Sequence, residues 1–295
     1  MLIPTGFQSE SIVTALGRIM YYTADREFWN SEISVDDRDL IFFHGLGGGS
    51  SAYEWSKVYP ALAPKYRTLA PDLIGWGRSD RPEREYRLDD YLTTITEFIE
   101  KTCDRPVTAI ASSLTAAMTI RVAIDRPELF RSLILTNPTG LSDFGEDYSR
   151  NLFAQLVSTP FLDRLIYNAA IATREGISTF LAQRQFADSS RIYPEIIEAY
   201  LQSAQQPNAE YSALDFVRGN QCFDLALYIP QLTVPTAIIW GKQTQFTPLE
   251  TGKRLADLNP QAIRYFQVLD DAGLTPQLEI PAVTTGLIQQ FLEVL

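Results

Sequence analysis

Histidine is the scarcest chemistry-bearing residue of this chain: a single imidazole, His44, in 295 residues. Cysteine is nearly as rare. Cys103 and Cys222 form neither a metal-ligand spacing nor a disulfide framework, so no metal site is expected and a reducing compartment is the default. Positive charge is in deficit: 25 Lys and Arg stand against 36 Asp and Glu, a net charge of −11. That argues against the clustered basic surface that nucleic acid requires and disfavours docking on anionic lipid, while leaving room for a local basic patch. The first residues lack a basic segment followed by an apolar run, so no secretory signal is expected, and a cytoplasmic location follows. The most apolar stretch, Pro106 to Ile124, holds Arg121 and several hydroxyls and reads as strand, turn and helix rather than as a membrane span. Repeats and low-complexity tracts are missing too, and nothing calls for a cofactor.

What is present is a soluble, globular composition, 45% hydrophobic and 21% charged, in a chain long enough to bury a substantial core. Ser11 to Tyr22 reads as a hairpin around Leu16-Gly17. Short apolar runs at Leu40–His44, Tyr66–Ala70, Val107–Ala111, Ser132–Thr136 and Thr236–Trp240 read as buried strands. Helical patterns occupy Leu88–Lys101, Leu114–Ile124, Pro248–Leu258 and Pro281–Leu295. Strands alternating with helices predict an α/β fold, a mostly parallel sheet flanked by helices. From Thr139 to Leu232 this rhythm breaks. Apolar residues at helical spacing, such as Leu152, Leu156, Phe161, Leu165 and Ile166, predict a helical insertion, interrupted by loops at Ala187–Pro194 and Gln205–Ala209. The expected division is a core of 1–138 and 233–295 and a helical lid of 139–232. Because ligands of open parallel sheets bind beyond the strands' carboxyl ends, such an insertion would roof the site.

Three motifs carry chemistry. In Phe43-His44-Gly45-Leu46-Gly47-Gly48-Gly49 a strand runs into glycines, which let backbone N–H groups approach a developing negative charge, with Leu46 N–H as one donor. A tight surface turn would look the same. Asp72-Leu73-Ile74-Gly75-Trp76-Gly77-Arg78-Ser79 follows a strand and reads as structural, with Asp72 bonding local backbone. Ala111-Ser112-Ser113-Leu114-Thr115-Ala116 lies between strand and helix. A nucleophile elbow needs small residues two positions either side of the nucleophile. Ser113, flanked by Ala111 and Thr115, satisfies this better than Ser112, flanked by Ile110 and Leu114. Leu114 N–H would be the second oxyanion donor. The other reading of Ser113 is a plain helix cap.

Together, in this order and spacing, the motifs resemble the α/β-hydrolase superfamily from about Ser11 to the C-terminus. His44-Gly45 matches its oxyanion-loop dipeptide, Asp72 to Ser79 its Asp-x-x-Gly-x-Gly-x-Ser signature, and Ser113 its nucleophile, although Ala111 and Thr115 stand where glycines are usual. The resemblance implies an α/β-hydrolase fold with a helical lid between two core strands. It also exposes departures. The acid that follows Trp-Gly is replaced in Trp240-Gly241-Lys242-Gln243-Thr244 by Thr244. The alternative acid position, at the end of Leu135-Thr136-Asn137, holds an amide. In Ala272-Gly273-Leu274-Thr275-Pro276, Leu274 replaces the histidine.

A serine hydroxyl is a poor nucleophile without a base, and leucine is none. Ordinary serine hydrolysis is therefore not expected. His44 belongs to the oxyanion loop, and Asp270, Asp271 and Glu279 read as solvated or turn residues. Loss of the acid together with the histidine is coherent, since a buried acid without an imidazolium would be an uncompensated charge. The expected function is that of a pseudoenzyme with a degenerate triad. It would bind a small apolar ligand with a carbonyl or carboxylate, or a protein partner, in a pocket formed by His44, Gly45, Leu46, Ser113, Leu114 and the vacated positions Thr244 and Leu274. Tyr53, Trp55, Phe153, Phe161 and Phe246 are candidate lining aromatics. The alternatives are an esterase-like or lyase enzyme with a non-standard apparatus around Ser113, and a scaffold with a closed pocket.

Overall fold

The computed structural model describes residues 3–29, 38–146 and 162–295. Eight strands, β1 (Phe7–Thr14), β2 (Gly17–Ala24), β3 (Asp39–Phe43), β4 (Arg67–Pro71), β5 (Val107–Ser112), β6 (Phe130–Thr136), β7 (Thr236–Gly241) and β8 (Ile263–Leu269), form one sheet in the order β1-β2-β4-β3-β5-β6-β7-β8. β1 and β2 are the expected hairpin, and β2 runs antiparallel to β4. Every other pairing is parallel.

The most deeply buried strands are central and mostly apolar. Every residue of β3, β5 and β7 is buried, as strands covered on both faces must be. Successive side chains alternate between two cores. Ile41, Phe43, Ala109, Ala111, Leu133 and Leu135 join one with the helices Leu88–Thr102 and Ser113–Asp125. Leu40, Phe42, Ile110, Ile134 and Ile239 join the other with Trp55, Tyr59 and the helix Pro281–Val294. Tyr91, Ile95, Phe98 and Ile99 place the apolar stripe of the first helix inward at spacings of three and four. Burying a side chain of this size is worth about 1.5–3 kcal/mol.

β8 is a strand that the apolar pattern does not announce. It is the outermost strand, and Arg264, Tyr265 and Gln267 are exposed, so no continuous apolar run marks it. Between β6 and β7 the described chain is helical, with helices Arg174–Phe180, Pro194–Ala204 and Ala209–Arg218. Leu152, Phe153, Leu156 and Phe161 lie outside the described residues. Leu165, one of the helically spaced apolar residues, is 66% exposed. The helix Pro194–Ala204 sits directly on the glycine loop: a Cβ added to Gly49 would stand 2.4 Å from the Tyr200 carbonyl oxygen. Among the described residues no helix is long and apolar enough to cross a membrane.

The loop after β4 is built around the buried Asp72 carboxylate, which accepts the Ala52 N–H, the Arg78 N–H and the Tyr22 hydroxyl at 2.8, 2.8 and 3.0 Å. Gly77 passes this carboxylate with φ +53°, so close that a Cβ would lie 2.0 Å from Asp72 Cγ. Gly145 has φ +79° and nothing within 4 Å of the same position. Gly145→Ala should therefore cost only backbone strain, about 1 kcal/mol, and Gly77→Ala markedly more, as read by denaturant unfolding. Equal losses at the two sites would remove Asp72 as the organiser of this loop.

Candidate active site

β5 ends in extended backbone at Ser112 (φ −121°), and Ser113, the first residue of the helix, turns to φ +57°. A non-glycine residue in this left-handed region costs roughly 1–2 kcal/mol and persists only where its surroundings enforce it. Here Ala111, Leu114, Thr115 and Ala116 are all fully buried around the turn. No side-chain bond caps the helix, which removes the plain-cap reading of Ser113. The Ser113 residue is 6% exposed. Among the described residues its hydroxyl has no hydrogen-bond partner.

His44 is fully buried at the end of β3, with a backbone partner on each ring nitrogen. Nδ1 lies 2.6 Å from the Gly45 carbonyl oxygen, and Nε2 accepts the Leu73 N–H at 3.0 Å. An acceptor Nε2 fixes the tautomer: Nδ1 carries the proton and donates it. Burial lowers the ring's pKa from 6.5 to about 4. His44 thus joins the loops after β3 and β4 and presents no free nitrogen to Ser113. Leu46 and Leu114 are buried, and among the described residues neither backbone N–H has a partner. Leu114 stands in the first turn of its helix, where N–H groups have no intrahelical acceptor.

The backbone around Leu274 is tied to its neighbours. Leu274 is 5% exposed; its N–H donates to the Gln185 carbonyl at 2.7 Å, and its carbonyl accepts Asn137 Nδ2 at 2.8 Å. Asn137 itself, at φ +47°, accepts the Gly241 N–H on Oδ1 at 2.9 Å. One amide therefore pins the ends of β6 and β7 to the Leu274 loop. Thr244 is half-buried, and its hydroxyl has no partner among the described residues. Glu279 departs from the expected solvated turn residue. Its side chain is fully buried and accepts the Gly273 N–H at 2.6 Å and the Ala187 N–H at 2.8 Å. Asp270 is exposed as expected, paired with Lys242.

Of the candidate lining aromatics, Trp55 belongs to the core on the far face of the sheet and donates to the Phe43 carbonyl at 3.0 Å. The Tyr53 hydroxyl donates to Glu195 at 2.9 Å, and Phe246 meets Phe180 edge-on. Two cavities, of about 370 and 1170 Å³, lie elsewhere, the first beside Gly77 and Ser203, the second beside Tyr66 and Arg67.

Two polar residues escape sequence reasoning. Gln277, with no exposed surface, donates to Ser112 Oγ at 3.2 Å behind the turn. Glu54, 1% exposed, accepts the Gly45 N–H at 2.9 Å and the Tyr200 hydroxyl at 3.1 Å. Burial pushes the Glu54 carboxyl above its ordinary pKa, and hydrogen bonding from Ser50, Gly45 and Tyr200 opposes the shift. The available signal was a lone acid inside the apolar run Ala52-Tyr53-Glu54-Trp55.

The single imidazole makes one prediction unambiguous, because the histidine resonance in an NMR titration needs no assignment. It should stay neutral through pH 5.5 and titrate near 4. Since the folded value lies below the ordinary 6.5, the neutral ring's contribution is whole above about pH 6.5 and is lost as pH falls towards 4, an effect on the order of 3 kcal/mol. A midpoint near 6.5 would contradict the buried, doubly bonded ring.

Comparison with known proteins accords with this geometry. The family model described as alpha/beta hydrolase fold matches residues 40–280. The chain is 27% identical over 250 residues to 2-hydroxy-6-oxo-6-(2'-aminophenyl)hexa-2,4-dienoic acid hydrolase of Metapseudomonas resinovorans, covering 82% of this chain and 79% of that protein. It is 27% identical over 255 residues to 2-hydroxymuconate semialdehyde hydrolase of Pseudomonas sp. strain CF600, covering 86% of each. Among solved structures, a serine hydrolase involved in carbazole degradation superposes with a TM-score of 0.77 at 21% identity, covering 98% of this chain and 100% of that one. With its sheet, its strained serine turn and a family match across most of its length in agreement, the chain belongs to the α/β-hydrolase fold family.

Proposed function

We propose that this protein binds a small, largely apolar ligand through one carbonyl or carboxylate at the Ser113 turn, and that it does not hydrolyse that ligand by serine-triad chemistry. In this reading Leu46 and Leu114 N–H hold the ligand oxygen, and residues 139–232 act as a lid on a core of 1–138 and 233–295. The observation that carries it is the state of the only imidazole. Both nitrogens of His44 are engaged by backbone, so no histidine is left to take the Ser113 proton. Leu274, at the vacated base position, offers only apolar surface and backbone atoms already bonded. Removing a general base forfeits roughly 10²–10⁴-fold in rate. Two unpartnered N–H donors beside a buried turn are what an apolar site needs to orient one oxygen. Two of the relatives are named for hydrolysis of an oxo acid and a semialdehyde, compounds that each carry a carbonyl. That favours a carbonyl compound as the ligand here.

A second reading, hydrolysis with an unconventional base, is favoured by one fact: the strained backbone at Ser113 is retained. A fluorophosphonate probe separates the two. The folded protein should remain unlabelled under conditions that label an active serine hydrolase to completion. Labelling that disappears in Ser113→Ala would instead establish an activated serine.

A further inference from the structure

The cavity of about 370 Å³ beside Gly77 and Ser203 takes no part in the site described so far. Its volume falls at the small end of the roughly 300–1,000 Å³ of small-molecule sites. Two parts of the fold border it. Gly77 and Arg78, from the loop after β4, form the core side. Gln202, Ser203, Gln205 and Gln206, at the carboxyl end of the helix Pro194–Ala204, form the lid side. One hydroxyl joins the two. Ser203 Oγ accepts the Gly77 N–H at 3.2 Å and donates to the Ser50 carbonyl at 3.1 Å.

The two sides offer opposite chemistry. Arg78 is exposed, and its guanidinium has no hydrogen-bond or ion-pair partner among the described residues. The buried Asp72 carboxyl does not answer it, because Arg81 stands there as a second cation, donating to the Gly77 and Ser79 carbonyls. The core side therefore presents guanidinium donors and one uncompensated positive charge. The three glutamines present the reverse. Gln202 Nε2 donates to Glu198 at 3.3 Å, Gln205 Nε2 to the Ala172 carbonyl at 3.1 Å, and Gln206 Nε2 to the Gln202 carbonyl at 3.1 Å. Those bonds fix which end of each amide is oxygen. The three Oε1 atoms are left as acceptors without a partner among the described residues. The carboxyl end of a helix carries partial negative charge as well, so an anion belongs on the Arg78 side and hydrogen-bond donors on the other.

We infer that this cavity binds a small polyhydroxylated carboxylate, which bridges the lid helix and the loop after β4. Its carboxylate pairs with Arg78, and its hydroxyls donate to Gln202, Gln205 and Gln206. A simple anion would leave the glutamine oxygens without donors, and an uncharged polyol would leave Arg78 without its counter-charge. Because the ligand touches both sides, it reinforces the joint that Ser203 makes between lid and core. The inference is independent of the reading of the Ser113 turn.

Isothermal titration calorimetry at constant ionic strength with sodium gluconate, a carboxylate bearing a row of hydroxyls, tests this. Sorbitol, which lacks the charge, and propionate, which lacks the hydroxyls, are titrated beside it. Gluconate should bind saturably, and the other two at least about tenfold more weakly. Arg78→Ala removes an exposed side chain that bonds to nothing in the fold. It should weaken gluconate at least about tenfold, to the level of sorbitol. Gln206→Leu should weaken gluconate and leave propionate unchanged. Ser113→Ala should bind gluconate as the wild type does. No saturable binding of gluconate, equal binding of propionate, or binding that survives Arg78→Ala would overturn the inference. Gluconate binding that disappears in Ser113→Ala would place the ligand at the serine turn and overturn it as well.

Discussion

The left-handed backbone at Ser113 is the constraint on which the site depends. Where a fully buried parallel strand passes at once into a helix, one residue must absorb the change of direction, and here it is a serine at φ +57°. The roughly 1–2 kcal/mol of strain is offset by the packing of its neighbours, all of them buried. Small flanks at Ala111 and Thr115 permit the turn, and Gln277 braces Ser112 from behind. The same turn brings Ser113 Cβ against Gly45 and so joins the ends of β5 and β3 into one site.

Most polar groups around that site are committed to holding loops together. His44 ties the loop after β3 to the loop after β4. Asn137 ties β6, β7 and the Leu274 loop, and Glu279 ties that loop to Ala187. A buried polar group left unpaired costs about 1–3 kcal/mol, so these bonds hold the loops after β3, β6 and β7 and the Leu274 loop in a single arrangement. Groups left without a partner among the described residues include the Leu46 and Leu114 N–H groups and the hydroxyls of Ser113 and Thr244.

The fold was legible because its central strands are short, mostly apolar runs and its helices carry stripes at spacings of three and four. Strand β8 was not, because an outermost strand with Arg264, Tyr265 and Gln267 exposed shows no such run. Ser113 was legible through the size of its flanks, and Asp72 through its turn glycines. Glu279 was misjudged because a carboxylate near a turn is ordinarily solvated, and its partners, Gly273 and Ala187, are backbone groups brought together only by the tertiary fold. Glu54 was missed for the same reason: among its partners are the Gly45 N–H and the hydroxyl of Tyr200, 146 residues away in the chain.

The central claim is that one ligand oxygen is held between two backbone amides at the serine turn. Amide NMR with Leu46 and Leu114 labelled by ¹⁵N tests it directly. Titration with a small apolar ketone should move both resonances downfield, together and to saturation, as hydrogen bonds form to groups that had none. Binding that leaves both amides unmoved would place the ligand elsewhere and contradict the account.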